Sequence, residues 1–389
     1  MLPKGTDVVI IGGGVIGASI AYHLSRKKAA VAILEKSDIA SGTSSACGGH
    51  IFLQSKKPGP HLNLALESKK RFEPLLQELG FDTEYRAHGG MVVIEKEEEL
   101  ESMRRFAEDQ KRIGLDVSFL DKTDARQMAP FLSEHILGAT YSPMDAQINP
   151  IYLTLAFIRA AKRCGAKVFT HSEAMDIHWM KHRAWSVKTA RGSIQATAVV
   201  NAAGVHAPKI GKMIRVEIPI TPRRGQILVT ESAPSMLKHC LLSAKYIQAK
   251  HDPEAAKRSG TGISVEQTGN GNFLLGSTRE FAGFDRSTTW EAVKGIAQGT
   301  ARLVPALRQL HVIRTFAGLR PYTPDGLPIL GQAEGREGFF VAAGHEGDGI
   351  ALAPITGEVM ASLILDGRSS VDLGSFRLER FPVASTVNR

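Results

Sequence analysis

A chain of 389 residues, 43% apolar and 22% charged, has ordinary globular composition and is long enough for two domains or one large interrupted one. Its net charge of +9 is spread through mixed stretches such as Lys69-Lys70-Arg71, Arg104-Arg105 and Lys111-Arg112, which read as solvated helix faces, so no nucleic-acid partner is expected. Three distant cysteines, Cys47, Cys164 and Cys240, argue against a disulfide framework and a cysteine-ligated metal; no metal site is expected, and a reducing cytoplasm fits.

The first element is an apolar strand, Val8 to Ile11, too short for a signal segment. It enters Gly12-x-Gly14-x-x-Gly17, where Val15 and Ile16 open a helix, and a second strand, Val31 to Leu34, ends at Glu35-Lys36. Gly12 permits the tight turn, Gly14 lets a pyrophosphate approach the backbone, and Gly17 lets the helix pack on the strand. The helix start then offers free N–H groups and a partial positive charge to phosphates. Glu35, 18 residues after Gly17, is placed to accept both hydroxyls of a ribose. Strand, glycines, helix and acid together predict dinucleotide binding.

A small-residue loop follows, Ser41-Gly42-Thr43-Ser44 through Cys47, Gly48, Gly49 and His50. Residues 61–79 predict a helix with Leu62, Leu66, Phe72, Leu75, Leu76 and Leu79 on its apolar side, ended by Gly80. Residues 89–94 predict a strand and 96–112 an exposed, charge-rich helix. Asn149 as cap, Pro150 at the first helical position and Gly165 beyond the end bracket another helix, which leads to strand 167–170. A buried strand over 198–201 closes on Ala202-Ala203-Gly204. Residues 226–230 and 272–276 read as antiparallel strands, and 250–262 as a surface loop. A last buried strand, 339–343, enters Gly344-His345-Glu346-Gly347-Asp348-Gly349, and a helix runs from there to about Leu365, stopped by Asp366-Gly367. No apolar run approaches the ~18 residues of a membrane span, so no integral membrane segment is expected. Two β-rich stretches interrupting an α/β scaffold imply interleaved domains.

These separated motifs agree. The glycine loop, Glu35, Ser41–Ser44, Val200-Asn-Ala-Ala-Gly204, Ala317-Gly-Leu-Arg320-Pro-Tyr-Thr-Pro-Asp-Gly326 and Ala343-Gly-His345 through Gly357 resemble, over almost the whole length, the D-amino acid oxidase-like FAD-dependent oxidoreductases. The branch holding glycine oxidase, sarcosine oxidase beta subunits and the proline, hydroxyproline and opine dehydrogenase beta subunits looks most similar. The resemblance implies an α/β fold, with a Rossmann-type FAD-binding domain (1–85, 140–217 and 318–375) interleaved with a substrate domain built on an antiparallel β-sheet (86–139 and 218–317), then a tail, 376–389. It also implies that Glu35 holds the adenosine ribose, Ser41 to Gly49 pass along the flavin, the Ala174 backbone meets adenine, Gly204 closes the cofactor strand, and Gly344 to Ile350 wrap the isoalloxazine.

The implied reaction oxidises the C–N bond of a small amino acid, by hydride transfer to flavin N5 and hydrolysis of the resulting imine. Arg320 is placed to grip the substrate carboxylate with its bidentate fork. Tyr246 is a pocket residue or a strand filler, and Tyr322 is a similar, weaker candidate. His50 binds a second carboxylate or a ring hydroxyl, or is a loop histidine satisfied by backbone. His345 reads as a shaper of the flavin loop rather than a base, and Arg223 and Arg224 as salt-bridge formers by default. Glu346 and Asp348 beside the flavin would oppose an anionic reduced ring, so they are expected to turn outward or pair with cations. With no cysteine in the Arg320 motif, FAD is expected to be non-covalent. A heteromeric partner that accepts electrons, or a homo-oligomer, fits the branch. The rivals are a nicotinamide dehydrogenase, which leaves Ser41–Gly49 and Gly344–Gly357 unexplained, a flavin domain acting on tRNA, and a non-catalytic assembly subunit.

Overall fold

The computed structural model describes residues 2–180, 184–252 and 262–382. Two eight-stranded sheets organise it. The first runs β17 (Ile329–Gln332), β18 (Phe339–Ala343), β11 (Gly192–Asn201), β1 (Gly5–Ile11), β2 (Val31–Leu34), β8 (Lys167–Phe169), and β9 (Asp176–Met180) and β10 (Ala184–Thr189) extend it from β11. The pairs β1–β2, β1–β11, β11–β18 and β2–β8 are parallel. Both faces are covered, which explains the unbroken apolar runs of β1 and β2. Val8, Ile10 and Ile33 face the helices Val15–Arg26, Pro60–Leu79, Pro150–Arg163 and Gly349–Asp366, whereas Val9, Ile11 and Leu34 pack with β10 and the helix Ala207–Met213.

The second sheet has the order β16 (Val312–Tyr322), β12 (Thr221–Ser232), β15 (Asn272–Gly276), β14 (Ser264–Gln267), β13 (Cys240–Ser243), β4 (Gly90–Ile94), β6 (Gly138–Ser142), β5 (Ser118–Asp121). All its pairs are antiparallel except β13–β4. Strands β6 and β16 straddle the expected boundaries at 140 and 318, and each lies wholly in this sheet. Leu228, Leu241, Val265, Phe273 and Leu275 turn to a core under the helices Lys122–Met128 and Trp290–Leu303. The alternation of a strand then turns Gly225, Ile227, Ser264, Glu266, Leu274, Gly276, Gly318 and Arg320 to the opposite face. The remaining short ribbon pairs β3 (His50–Ile51) with β7 (Ala146–Gln147).

Helix punctuation follows the sequence signals. Asn149 Oδ1 accepts from the N–H groups of Ile151 and Tyr152, and Gly80 and Gly367 end their helices in the left-handed conformation. Two expectations are corrected. Residues 250 and 251 end the helix Ala244–His251 rather than beginning a surface loop, because the Lys250 side chain has a buried ion-pair partner; 253–261 lie outside the described residues, as does the tail beyond 382. The helix Gly349–Asp366 is long and apolar enough to cross a membrane by length and composition. It is clamped instead between Val15–Arg26 and Pro60–Leu79, with Leu352, Ile355, Val359 and Met360 fully buried and Ser19 and Ser68 donating to its Ala353 and Ala351 carbonyls.

Candidate active site

A cavity of about 440 Å³ runs between the C-terminal ends of the first sheet's strands and the glycine-lined face of the second. Gly12, Gly14, Val15, Ile16, Glu35, Lys36, Ser41, Gly42, Thr43, Ser44, Gly48, Ala174, Ala203, Gly204, Gly344, His345, Gly347, Gly349 and Ile350 line it, as do Arg320, Tyr246 and His50. Gly17, Gly49 and Asp348, expected at the cofactor, do not line it. Gly17 is spent on packing, since a Cβ there would run into the Gly12 carbonyl. Gly49 is pressed against the Ile148 carbonyl, and Asp348 is drawn away by cations.

One end of the cavity is built from backbone. Gly12 has φ +117°, a conformation that side chains disfavour, and its Cα lies against the Ala202 carbonyl. Gly14 caps the helix Val15–Arg26 without a side chain, leaving its start open to the cavity, and Ser44 Oγ accepts from Val15 N at 3.0 Å. The Glu35 carboxylate accepts from Gly13 N at 2.7 Å and Ser37 N at 2.8 Å, so it shapes the glycine turn as well as lining the cavity.

The other end is built from charge. Glu346 is buried among three arginines. Arg279 Nη1 lies 2.5 Å from its carboxylate, Arg223 Nη1 3.7 Å and Arg320 Nε 3.9 Å. Burial opposes ionisation of Glu346, but Arg279, Arg320 and Lys250 outweigh it and hold its pKa at about 2. Asp348 is buried with Lys56 Nζ at 2.6 Å, Lys250 Nζ at 2.8 Å and His61 Nε2 at 3.1 Å. Burial works against this carboxylate too, and Lys250, Lys56 and His61 together hold it well below the usual range. Of the two expectations for these acids, pairing with cations is what occurs, and neither turns outward.

Arg320 donates Nη1 to the Thr278 carbonyl at 3.0 Å and Nη2 to Ser277 Oγ at 2.7 Å, both neutral acceptors, and its guanidinium lies over Gly225, where any Cβ would collide with it. Tyr246 is not a strand residue. It sits in the first turn of Ala244–His251, capped by Ser243, with the Arg279 guanidinium 4.7 Å from its ring centroid. His50 packs edge-on against Phe52 and places Nε2 3.3 Å from Glu266. His345 is buried on Thr356 Oγ1 at 3.2 Å, and burial pushes its pKa down to about 3, leaving it neutral. Tyr322 and Arg223 stay off the cavity wall: Arg223 is buried between the Tyr322 and Phe281 rings and donates to the Ala249 carbonyl. Arg224 pairs with Glu280 and Asp285. The Cys47 thiol also lines the cavity, and burial, then Glu266, push its pKa up to about 12.

The family model described as FAD dependent oxidoreductase (DAO) matches residues 7–363. The chain belongs to this family. It is similar to the glycine oxidase of Geobacillus kaustophilus, at 33% identity over 96% of this chain and 97% of that protein. The hydrogen cyanide synthase subunit HcnC of Pseudomonas protegens is 31% identical, over 98% and 97%. The crystal structure of L-proline dehydrogenase from P. horikoshii superposes with a TM-score of 0.89 at 27% identity, covering 98% of each chain. The chain is therefore an FAD-dependent oxidoreductase, and its cavity fits the cofactor. The open helix start, the side-chain-free turn at Gly12 and the carboxylate of Glu35 suit a pyrophosphate and ribose, while Gly344 to Ile350 supply a second side-chain-poor wall and a second helix start.

Sequence reasoning missed Glu266, Arg279, Lys56, Lys250 and His61. Glu266 had a signal, being an acid on the same strand face as Ser264, next to the apolar Val265 that turns the other way. The rest had none, because their partners lie far away in the chain.

Proposed function

We propose that this enzyme oxidises the C–N bond of a small amino acid, a secondary amine or a glycine-like substrate such as sarcosine, glycine, proline, hydroxyproline or an opine. Non-covalent FAD serves as hydride acceptor, and the imine product hydrolyses. The carrying observation is Arg320: a guanidinium on the cavity wall, 12% exposed, with no carboxylate among the described residues paired to it more closely than Glu346 at 3.9 Å and N–H donors left after two neutral contacts. Such a fork suits a carboxylate ligand. Tyr246 lies beside it on the wall. Glu35 is the residue for the adenosine ribose, Ala174 for adenine, and Gly12 to Ile16 with Ser41–Ser44 for the pyrophosphate and flavin edge. The start of Gly349–Asp366 lines the cavity and would offer partial positive charge to the negative charge of a reduced ring, and the cation pairs of Glu346 and Asp348 would keep those acids from opposing it.

The names of the relatives support this substrate class, and the Cys47 thiol, partly buried and with its pKa pushed up to about 12, supports non-covalent attachment. A cytoplasmic setting accords with three free cysteines. The second reading, a subunit in a larger assembly, is favoured by HcnC and by the exposed Val312 and Ile313 on the outer strand β16. The test is anaerobic bleaching of the flavin near 450 nm by glycine, sarcosine, L- and D-proline, both hydroxyproline epimers and an opine, followed by admission of air. Bleaching by one of them supports the reading. Fast recovery in air marks an oxidase, and slow recovery a dehydrogenase awaiting a partner. No bleaching with FAD bound refutes it. FAD that stays with the chain after acid precipitation refutes non-covalent binding.

A further inference from the structure

Glu266 is unexplained by anything above. It lies on β14, on the face turned to the cavity, and its side chain is 2% exposed. Both carboxylate oxygens accept from the single N–H of Gly49, at 2.8 and 3.0 Å, and His50 Nε2 stands 3.3 Å from Oε2. Among the described residues no lysine or arginine forms an ion pair with it. A carboxylate offers about four acceptor sites, so a buried one served by one N–H and one imidazole has capacity to spare, and buried charge without a counter-charge is costly. Arg320 is the mirror case, a nearly buried cation whose closest partners are neutral. The Cys47 thiol sits within the field of both, the Glu266 charge raising its pKa and the Arg320 charge lowering it. One face of the second sheet therefore presents to the cavity an anion with acceptor capacity to spare and a cation that has N–H donors to spare and shares Glu346 with two other arginines.

That arrangement complements an amino acid, with carboxylate toward Arg320 and nitrogen toward Glu266. We propose that Glu266 is a catalytic residue: its carboxylate accepts the substrate N–H and stabilises the positive charge that develops on nitrogen during oxidation. The inference rests on the amino-acid reading above. In the step, the α-carbon C–H bond breaks and its electron pair leaves with the hydrogen as hydride to FAD. The nitrogen lone pair forms the C=N bond, and the iminium keeps its N–H toward the Glu266 carboxylate. Water then hydrolyses the iminium. Fixed charge aimed at charge that appears only in the transition state raises rate more than affinity. A second cavity, of about 210 Å³, shares Ser44, Cys47, Glu266 and Leu274 with the first, so a substituent on the nitrogen has space beyond Glu266.

The test uses the holoenzyme and two planar ligands that flavin does not oxidise, pyrrole-2-carboxylate, which has an N–H, and furan-2-carboxylate, which has an oxygen in its place. In wild type the pyrrole should perturb the flavin spectrum at concentrations at least tenfold lower. Glu266→Gln keeps one acceptor oxygen for Gly49 N, while removing the charge and replacing the other acceptor with an NH2 donor. It should leave furan-2-carboxylate affinity within twofold, shrink the advantage of the pyrrole, and lower the limiting rate of anaerobic flavin reduction by the active amine by about 100-fold. Equal affinity of the two ligands in wild type overturns the proposal, and so does a Glu266→Gln reduction rate within twofold of wild type. If Glu266→Gln loses FAD, the wild-type ligand pair alone decides. If wild type binds neither ligand and no amine bleaches it, the amino-acid reading itself has failed. Ligand binding and bleaching without the Glu266 effects refute this inference alone.

Discussion

The two ends of the cavity are built on opposite principles. The dinucleotide end is mostly backbone and comes from one contiguous stretch: a strand, three glycines, a helix start and an acid that folds back on the glycine turn. The far end is side-chain charge gathered from many places. Arg223, Arg279, Arg320 and Glu346 form one group, and Lys56, His61, Lys250 and Asp348 another. A backbone site fails when a Cβ intrudes and is indifferent to salt and pH. A site of buried charges fails when one partner is removed, because the others stay buried and uncompensated. The first kind of site binds a cofactor common to many enzymes, and the second can be retuned one residue at a time for a substrate.

The sharpest way to break this contrast is Asp348→Asn. It leaves Lys56 and Lys250 buried without an anion, and a loss of about 3–5 kcal/mol is expected in urea unfolding of the holoenzyme; a loss under 1 kcal/mol would show that the charged end is not held by its pairs. Next in size is Arg320→Lys, which keeps the charge and loses the fork. It should weaken furan-2-carboxylate binding by at least tenfold, read by flavin difference spectra, with FAD content unchanged. On the backbone side, Gly12→Ala forces a β-carbon into the Ala202 carbonyl at a positive φ. It should cost about 1–3 kcal/mol and show chiefly as lost FAD in the purified protein, while carboxylate recognition by whatever holoenzyme remains is unaltered.

Acid sharpens the comparison further. Burial lowers the pKa of His23 to about 4 and of His345 to about 3, from an unfolded value of 6.5. The unfolded chain therefore takes up these protons first. The stability held by the neutral rings is complete above pH 6.5 and falls by about 1.4 kcal/mol per pH unit for each ring as pH drops toward 4. Urea midpoints measured at pH 7, 6 and 5 should decline in that order, and a flat profile would refute neutral burial. The smallest effect is expected at an exposed pair: Arg105→Ala, which breaks the bond to Glu101, should leave the urea midpoint unchanged.

Much of this was legible beforehand. The glycine loop, the Asn149–Gly165 helix, the pairing of 226–230 with 272–276 and the buried strands of the first sheet follow from local patterns that dominate wherever a segment has one low-energy choice. Tyr246 was open between pocket and strand because its segment is short and has no clear period; Ser243 capping the chain three residues earlier makes it helical. Lys250 looked like loop because lysine amid small residues normally is solvated. Its burial depends on Asp348, 98 residues away in the chain.

The amino-acid sequence by itself determined the cofactor end, the family and the succession of elements, since strand–glycine–helix chemistry is written in consecutive residues. Only the tertiary structure decided which charges meet: that Glu346 faces three arginines, that Asp348 turns from the cavity to two lysines, and that Glu266 shares one sheet face and one cavity with Arg320. Coulomb energies depend on distance and burial, and neither is set by spacing along the chain once long-range strand pairing brings residues hundreds of positions apart onto one wall.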